Sequence, residues 1–184
     1  MRAITTLALA AALSMVVGFP AFVAPAQAEP AYSIDTVVAI FVKDKAVAEA
    51  YKRATRQICL EDEVDCPKKH PPALASFDLL VTFQHDSDRL TQAAKDNLIQ
   101  FAKALLDPRL KGEKFEIDSH TNVVGDEEYN LRLSELRAIS VVSYLASQGV
   151  NRSLLLAQGF GATKPRVADP RSPENNRVEV HLTQ

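Results

Sequence analysis

Ser119-His120-Thr121-Asn122-Val123-Val124-Gly125-Asp126-Glu127-Glu128-Tyr129-Asn130-Leu131-Arg132-Leu133-Ser134-Glu135-Leu136-Arg137-Ala138 is the stretch on which the reading of this chain turns. Residues 120–125 read as a loop that ends at Gly125. Asp126, Glu127 and Glu128 follow and suit the first turn of a helix, where the peptide dipoles favour negative charge. Leu131, Ser134, Ala138, Val141, Val142 and Leu145 then recur at helical spacing, and Gly149 ends the helix. Asn130, Ser134 and Arg137 stand at i, i+4 and i+7, so they share one flank of that helix and can face the loop before it. An arginine behind polar loop atoms suits an anion with amino or hydroxyl neighbours, because its planar fork grips a carboxylate with two parallel hydrogen bonds. The same spacing also suits an Arg137 that pairs with a carboxylate of its own chain.

Outward from this stretch the pattern stays regular. Phe77, Leu79, Val81 and Phe83 alternate, which predicts a strand over 77–83. Ser87, Asp88 and Thr91 open a helix carrying Leu90, Ala94, Leu98, Phe101 and Leu105, and Pro108 stops it. Residues 114–118 read as a second strand, and residues 154–158 and 177–182 as the last two. The order β-α-β-α-β-β predicts an α/β (α+β) fold: a mixed sheet with helices on one face. Residues 29–58 read as a helical extension, with Asp35 capping a helix over 36–42 and a second helix over 46–57. The prolines at 67, 71 and 72 mark a boundary, so the chain divides into 1–28, 29–75 and 76–184.

These motifs resemble the OmpA-like peptidoglycan-binding domain, a family that also occurs in peptidoglycan-associated lipoproteins and flagellar motor stators. The family pattern Gly-His-Thr-Asp-x-x-Gly is matched by residues 119–125. Tyr-Asn-x-x-Leu-Ser-x-x-Arg-Ala is matched by Tyr129-Asn130, Leu133-Ser134 and Arg137-Ala138, then Val141, Tyr144-Leu145 and Gly149. Gly159-Phe160-Gly161-Ala162-Thr163-Lys164-Pro165 and Asn175-Asn176-Arg177-Val178-Glu179 are similar to the family's tail motifs. The resemblance implies non-covalent binding of the zwitterionic end of diaminopimelate in the peptidoglycan stem, with no catalysis and no cofactor. It assigns the main roles to Arg137 and to position 122, with Thr121, Asn130 and Arg177 in support. Three positions depart from the pattern: Asn122 replaces an aspartate, Ser119 a glycine and Asn176 an arginine. Exchanging a charge-assisted hydrogen bond for a neutral one weakens binding by roughly ten-fold. Asp118 and Asp126 are the neighbouring acids, the first pointing elsewhere along its strand and the second suited to capping the helix. Two functions follow from the resemblance: a clamp on the cell wall, or the same fold serving as a protein-interaction module.

The remaining features set the compartment. Arg2, an apolar run over 4–18 and Ala26-Gln27-Ala28 read as a secretory signal cleaved after Ala28, with an uncleaved anchor as the alternative. The apolar run is interrupted by Pro20 and Pro25, and a spanning helix needs about 20 apolar residues. No cysteine stands near that point to carry a lipid, and no later run is long enough to span a membrane. The mature chain would hold 20 basic against 23 acidic residues, a net charge of −3, in the periplasm beside outer-membrane or periplasmic partners. Such a balance excludes the basic stripe that nucleic-acid binding requires, and the lack of tryptophan excludes a Trp stacking platform. In an oxidising compartment Cys59 and Cys66 suit a disulfide contributing roughly 2–3 kcal/mol; a metal or redox pair would more often show Cys-x-x-Cys spacing. The acids between them lack the spacing of a calcium loop. His85 and His120 end the first two strands and would meet if those strands were adjacent, yet no ligand spacing supports a metal hydrolase. No nucleophile elbow, phosphate loop or dinucleotide fingerprint is present, so no enzyme is expected.

Overall fold

The structure is a computed structural model that describes residues 32–58 and 74–183. The candidate signal over 1–28 and the Cys59–Cys66 pair lie outside those residues. Seven main elements follow in order: α1 (Ile34–Ile58), β1 (Phe77–Leu79), α2 (Gln92–Leu105), β2 (Phe115–His120), α3 (Glu127–Ser147), β3 (Leu155–Gly161) and β4 (Arg177–Leu182). They build a four-stranded sheet in the order β1-β4-β2-β3. β2 and β3 pair in parallel, while β4 runs antiparallel to both β1 and β2. The last strand therefore inserts between the first two, and the expected mixed sheet forms.

Strand alternation decides which side is covered. Val178, Val180 and Leu182 of β4 join Phe115 and Ile117 of β2 in one buried cluster with Val37, Val38 and Phe41 of α1, Leu98 and Phe101 of α2, and Val141 and Leu145 of α3. All three helices thus share one face. Arg177, Glu179 and His181 alternate to the other face, with Glu116 and Asp118 beside them.

The described part of the extension, residues 32–58, holds one helix rather than two. Ser33, not Asp35, caps it: the Ser33 hydroxyl accepts from Thr36 N–H at 3.2 Å. Nothing between Ile34 and Ile58 breaks the helix, since the segment has neither glycine nor proline. Its apolar face meets an aromatic cluster in which the Phe41 ring lies 5.1 Å from Phe115 and 6.2 Å from Phe101, centre to centre. Among the described residues no helix is long and apolar enough to cross a membrane.

The first strand is shorter than its alternation predicts. β1 pairs with β4 only from Phe77 to Leu79. The chain then turns, with Val81 N–H bonded to Leu79 C=O at 2.8 Å, and continues as a small hairpin. Thr82 C=O accepts from Thr91 N–H at 3.1 Å, and Gln84 N–H donates to Arg89 C=O at 2.8 Å. Val81 and Phe83 still pack on the core, so the period of two reports one-sided burial here, without a sheet partner. Thr91 is the N-cap of α2, accepting from Ala94 N–H, whereas Ser87 and Asp88 stay in the hairpin tip. Pro108 begins a separate 3-10 turn after α2 has ended. β2 and β3 run past their expected ends to His120 and Gly161, with a register irregularity at Ser119 and His120.

α3 and β3 meet at backbone distance. A Cβ on Gly159 would lie 2.6 Å from Glu135 Cα and 2.7 Å from Ser134 Oγ, closer than atoms pack. Gly159→Ala is expected to destabilise the fold by about 1–3 kcal/mol through overpacking. Phe41→Ala should remove about 3–5 kcal/mol by opening a cavity between α1 and the sheet. Urea denaturation of both variants checks these values, and a near-neutral Phe41→Ala would show that α1 adds nothing to the core.

Candidate functional site

The β2–α3 loop, the first turns of α3, the hairpin over 82–91 and the start of β4 enclose a cavity of about 450 Å³. Thr121, Asn122, Asn130, Arg137 and Arg177 all line it, so the fold brings the five expected residues together. Asp126 caps α3 by accepting from Tyr129 N–H at 3.1 Å, as its position predicts. One member of the expected stripe behaves differently from the rest. Leu131 is exposed, and Asn130 is buried in its place, because the helix turns its Asn130–Ser134 flank toward β3 and the loop.

Arg137 is half-buried and has no carboxylate within ion-pair distance among the described residues. Its Nε donates to Ser87 C=O at 3.0 Å, and its guanidinium carbon lies 4.9 Å from the centre of the Phe83 ring. Neither Nη makes a hydrogen bond with the described residues. Burial lowers its proton affinity from the ordinary arginine value, while Tyr129, Asp86 and Asp88 nearby work in the opposite direction. The hairpin thus fixes this side chain by backbone and ring contacts and leaves the end of the fork open.

The loop atoms are arranged by their own hydrogen bonds. Asn130 Nδ2 donates to Val124 C=O at 3.1 Å. Asn122 Oδ1 accepts from Val124 N–H at 3.2 Å, and its Nδ2 donates to Arg171 C=O at 3.1 Å. Asn122 N–H in turn donates to Asn176 Oδ1 at 3.1 Å. The two asparagines that depart from the family pattern are therefore direct partners. An aspartate at 122 would lack the donor that reaches Arg171. Thr121 is buried, and its hydroxyl has no hydrogen-bond partner among the described residues. Arg177 lines the cavity with its donors already engaged: Nε bonds Glu179 at 2.6 Å, and both Nη atoms reach Lys164 C=O at 3.2 Å.

Asp86 stands outside the family motifs of the sequence. It sits at the hairpin tip with φ of 50°, a left-handed conformation that aspartate tolerates better than most residues. Its Oδ1 accepts from Tyr129 hydroxyl at 2.6 Å, and it lines the cavity on the same side as Arg137. The turn sequence His85-Asp86-Ser87-Asp88 signals a loop, but only the folding of that loop over α3 puts the acid here. Asp118 faces elsewhere, beside His181 and Glu116.

His85 and His120 also line the cavity, although not as neighbouring strand ends. β4 separates β1 from β2, and His85 lies six residues beyond the end of β1. His120 is buried and stacks on Phe160 with ring centres 5.2 Å apart. Burial, then the charge of Arg177, push its imidazole down to about 4, so it is neutral near pH 7.

Asn175 holds the loop that underlies this wall. It is fully buried, with Oδ1 accepting from Arg166 N–H at 2.8 Å and Nδ2 donating to Asp169 C=O at 2.9 Å. Asn175→Ala should cost about 1–3 kcal/mol, since it removes a fully buried side chain and its hydrogen bonds to partly buried backbone groups. Faster amide exchange over residues 166–171 would accompany that loss, and unchanged exchange would show that the loop is held by other contacts.

The sequence model of the OmpA family matches residues 82–179, just over half of the chain; α1 and β1 lie outside the match. The outer-membrane lipoprotein YfiB of Pseudomonas aeruginosa is 36% identical over 104 residues, covering 54% of this chain and 60% of that protein. Outer membrane protein A of Bordetella avium is 31% identical over 123 residues, covering 63% of this chain and 62% of that one. The chain thus spans about three-fifths of the length of these two curated relatives. Among solved structures, the C-terminal domain of Helicobacter pylori MotB is similar with a TM-score of 0.50 at 25% identity, covering 59% of this chain and 84% of that domain. The OmpA-like domain of FopA1 from Francisella tularensis shares the fold with a TM-score of 0.50 at 22% identity, covering 59% and 73%.

Proposed function

The chain belongs to the OmpA family, and we propose that its cavity is a non-covalent binding site for the diaminopimelate-bearing peptide stem of peptidoglycan. The observation that carries this reading is Arg137. A half-buried guanidinium, fixed by Ser87 and Phe83 and paired with no carboxylate among the described residues, is a preorganised receptor for an anion from outside. The end of diaminopimelate carries a carboxylate and an ammonium on one carbon. The open Nη atoms take the carboxylate in two parallel hydrogen bonds. The ammonium needs an acid or several oxygens nearby. Asp86 supplies the charge that Asn122 lacks, and Thr121 Oγ1 and Asn122 Oδ1 supply neutral acceptors. Arg177 orders the wall of the cavity through Glu179 and Lys164. Asn130 holds the loop through Val124.

The same reading places the protein in the periplasm, where it links the wall to outer-membrane or periplasmic partners. The two curated relatives described above are named as outer-membrane proteins, which supports an envelope location. Binding is the whole of the function: no bond of the stem is made or broken.

Sedimentation with purified Gram-negative peptidoglycan tests this. The wild type should pellet with the wall, and Arg137→Ala should stay in the supernatant. Asp86→Asn should weaken binding by roughly ten-fold, the difference between a charged and a neutral partner. Asn122→Asp should tighten it, by up to about the same factor. Wild-type protein that stays in solution while Asn122→Asp pellets would mean that wall binding has been lost, leaving a protein-interaction module. An Arg137→Ala variant that binds like wild type would overturn the site itself.

A further inference from the structure

The helix-free face of the sheet carries a second cluster, away from the cavity. Glu116 of β2 stands opposite His181 of β4, and Asp118 is the diagonal neighbour on the same face. One ligand atom from each of the three residues lies within 4.8 Å of the others. His181 Nε2 is 3.4 Å from Glu116 Oε2, and His181 Nδ1 is 3.9 Å from Asp118 Oδ2. No hydrogen bond joins the imidazole to either carboxylate. The two carboxylates face different ring nitrogens; ligands at ~2.0–2.1 Å around a tetrahedral ion sit about 3.3–3.4 Å apart, so an ion on one nitrogen requires the three ligand atoms, now within 4.8 Å of one another, to close in on it.

Asp118 is the independent observation. The residue is 6% exposed, and its Oδ1 is buried with no hydrogen-bond partner among the described residues. Its other oxygen faces the imidazole. Such a carboxylate is costly to bury without a cation. Its cross-strand neighbour Glu179 is already neutralised by Arg166 and Arg177, but neither arginine bonds Asp118. Lys164 is the other cation on this side, and its ammonium lies over the Phe160 ring at 3.5 Å, without an ion pair to Asp118. Glu116 and His181 open onto a cleft of about 470 Å³ bordered by Leu74 and Thr183, which leaves a path for an ion and a solvent ligand.

We propose that Glu116, Asp118 and His181 form a binding site for one divalent transition-metal ion of the zinc class. The imidazole selects such an ion over magnesium or calcium, which prefer all-oxygen shells. Two carboxylates balance its charge, and three protein ligands leave a fourth position for water or for a donor from a partner. The site lies on the opposite side of the sheet from the helices and does not depend on the wall-binding reading.

The test is calorimetric titration of the purified, chelator-stripped chain with zinc, with thermal melting alongside. One equivalent should bind and raise the melting midpoint, while calcium at equal concentration should do neither. The His181 ring resonances should shift in the wild type as zinc is added. His181→Ala and Glu116→Gln should each weaken binding by at least about ten-fold, and cooperative melting of both variants in chelator shows that they fold. No binding by the wild type overturns the proposal, as does binding that survives His181→Ala. Binding that disappears in Cys59→Ser or His70→Ala, with the His181 resonances unmoved, overturns it by placing the ion elsewhere.

Discussion

The Ser134 hydroxyl is the contact on which the site depends. It is fully buried, accepts from Gly161 N–H at 2.8 Å and donates to Leu131 C=O at 2.7 Å. One side chain therefore locks α3 to the end of β3, at the level where Gly159 lets the two backbones touch. The next hydrogen bond outward runs from Thr121 N–H to Gly161 C=O at 2.9 Å, which ties the β2–α3 loop to the same point. Asn130, one turn before Ser134, and Arg137, one turn after it, inherit their positions from this lock. A larger residue at Gly159 would displace the helix and, with it, both ends of the cavity.

Electrostatics divide the two arginines of the expected site. Arg177 sits on a strand between Glu179 and the Lys164 carbonyl, so its charge is used within the fold. Arg137 projects from a helix under a hairpin that offers a carbonyl and an aromatic face but no carboxylate at contact distance. Burial without pairing is unfavourable for a charge. That cost is the physical basis for expecting an external anion at Arg137 and none at Arg177. Asn122 and Asn176 bond each other and the neighbouring loop, so the loss of the family's acid at 122 is accompanied by a changed set of backbone contacts.

Much of this architecture was legible in the sequence because it rests on local rules. The Asp126 cap, the stripe from Ser134 to Leu145, the Thr91 cap and the alternation of β4 follow from spacing and capping chemistry within one element. The segments over 77–83 and 34–58 part from their sequence patterns because periodicity reports which side of a segment is buried, not what buries it or whether the backbone is interrupted. The 77–83 alternation continues past β1 into a hairpin that is apolar on one side and has no sheet partner. The segment over 34–58 reads as two helices, over 36–42 and 46–57, although residues 43–45 between them do not break the backbone.

By itself the sequence determined the helices and most of the strands, through spacing and capping within each segment, and the resemblance of its motifs pointed to the family and to the five residues around the loop. Tertiary structure alone decided that Asp86 stands in the cavity, that Arg177 is engaged while Arg137 is open, and that Glu116, Asp118 and His181 converge. Each of these depends on the distance between atoms far apart in the chain. That distance is set by the insertion of β4 between β1 and β2 and by the hairpin closing over α3. No local preference encodes either of them.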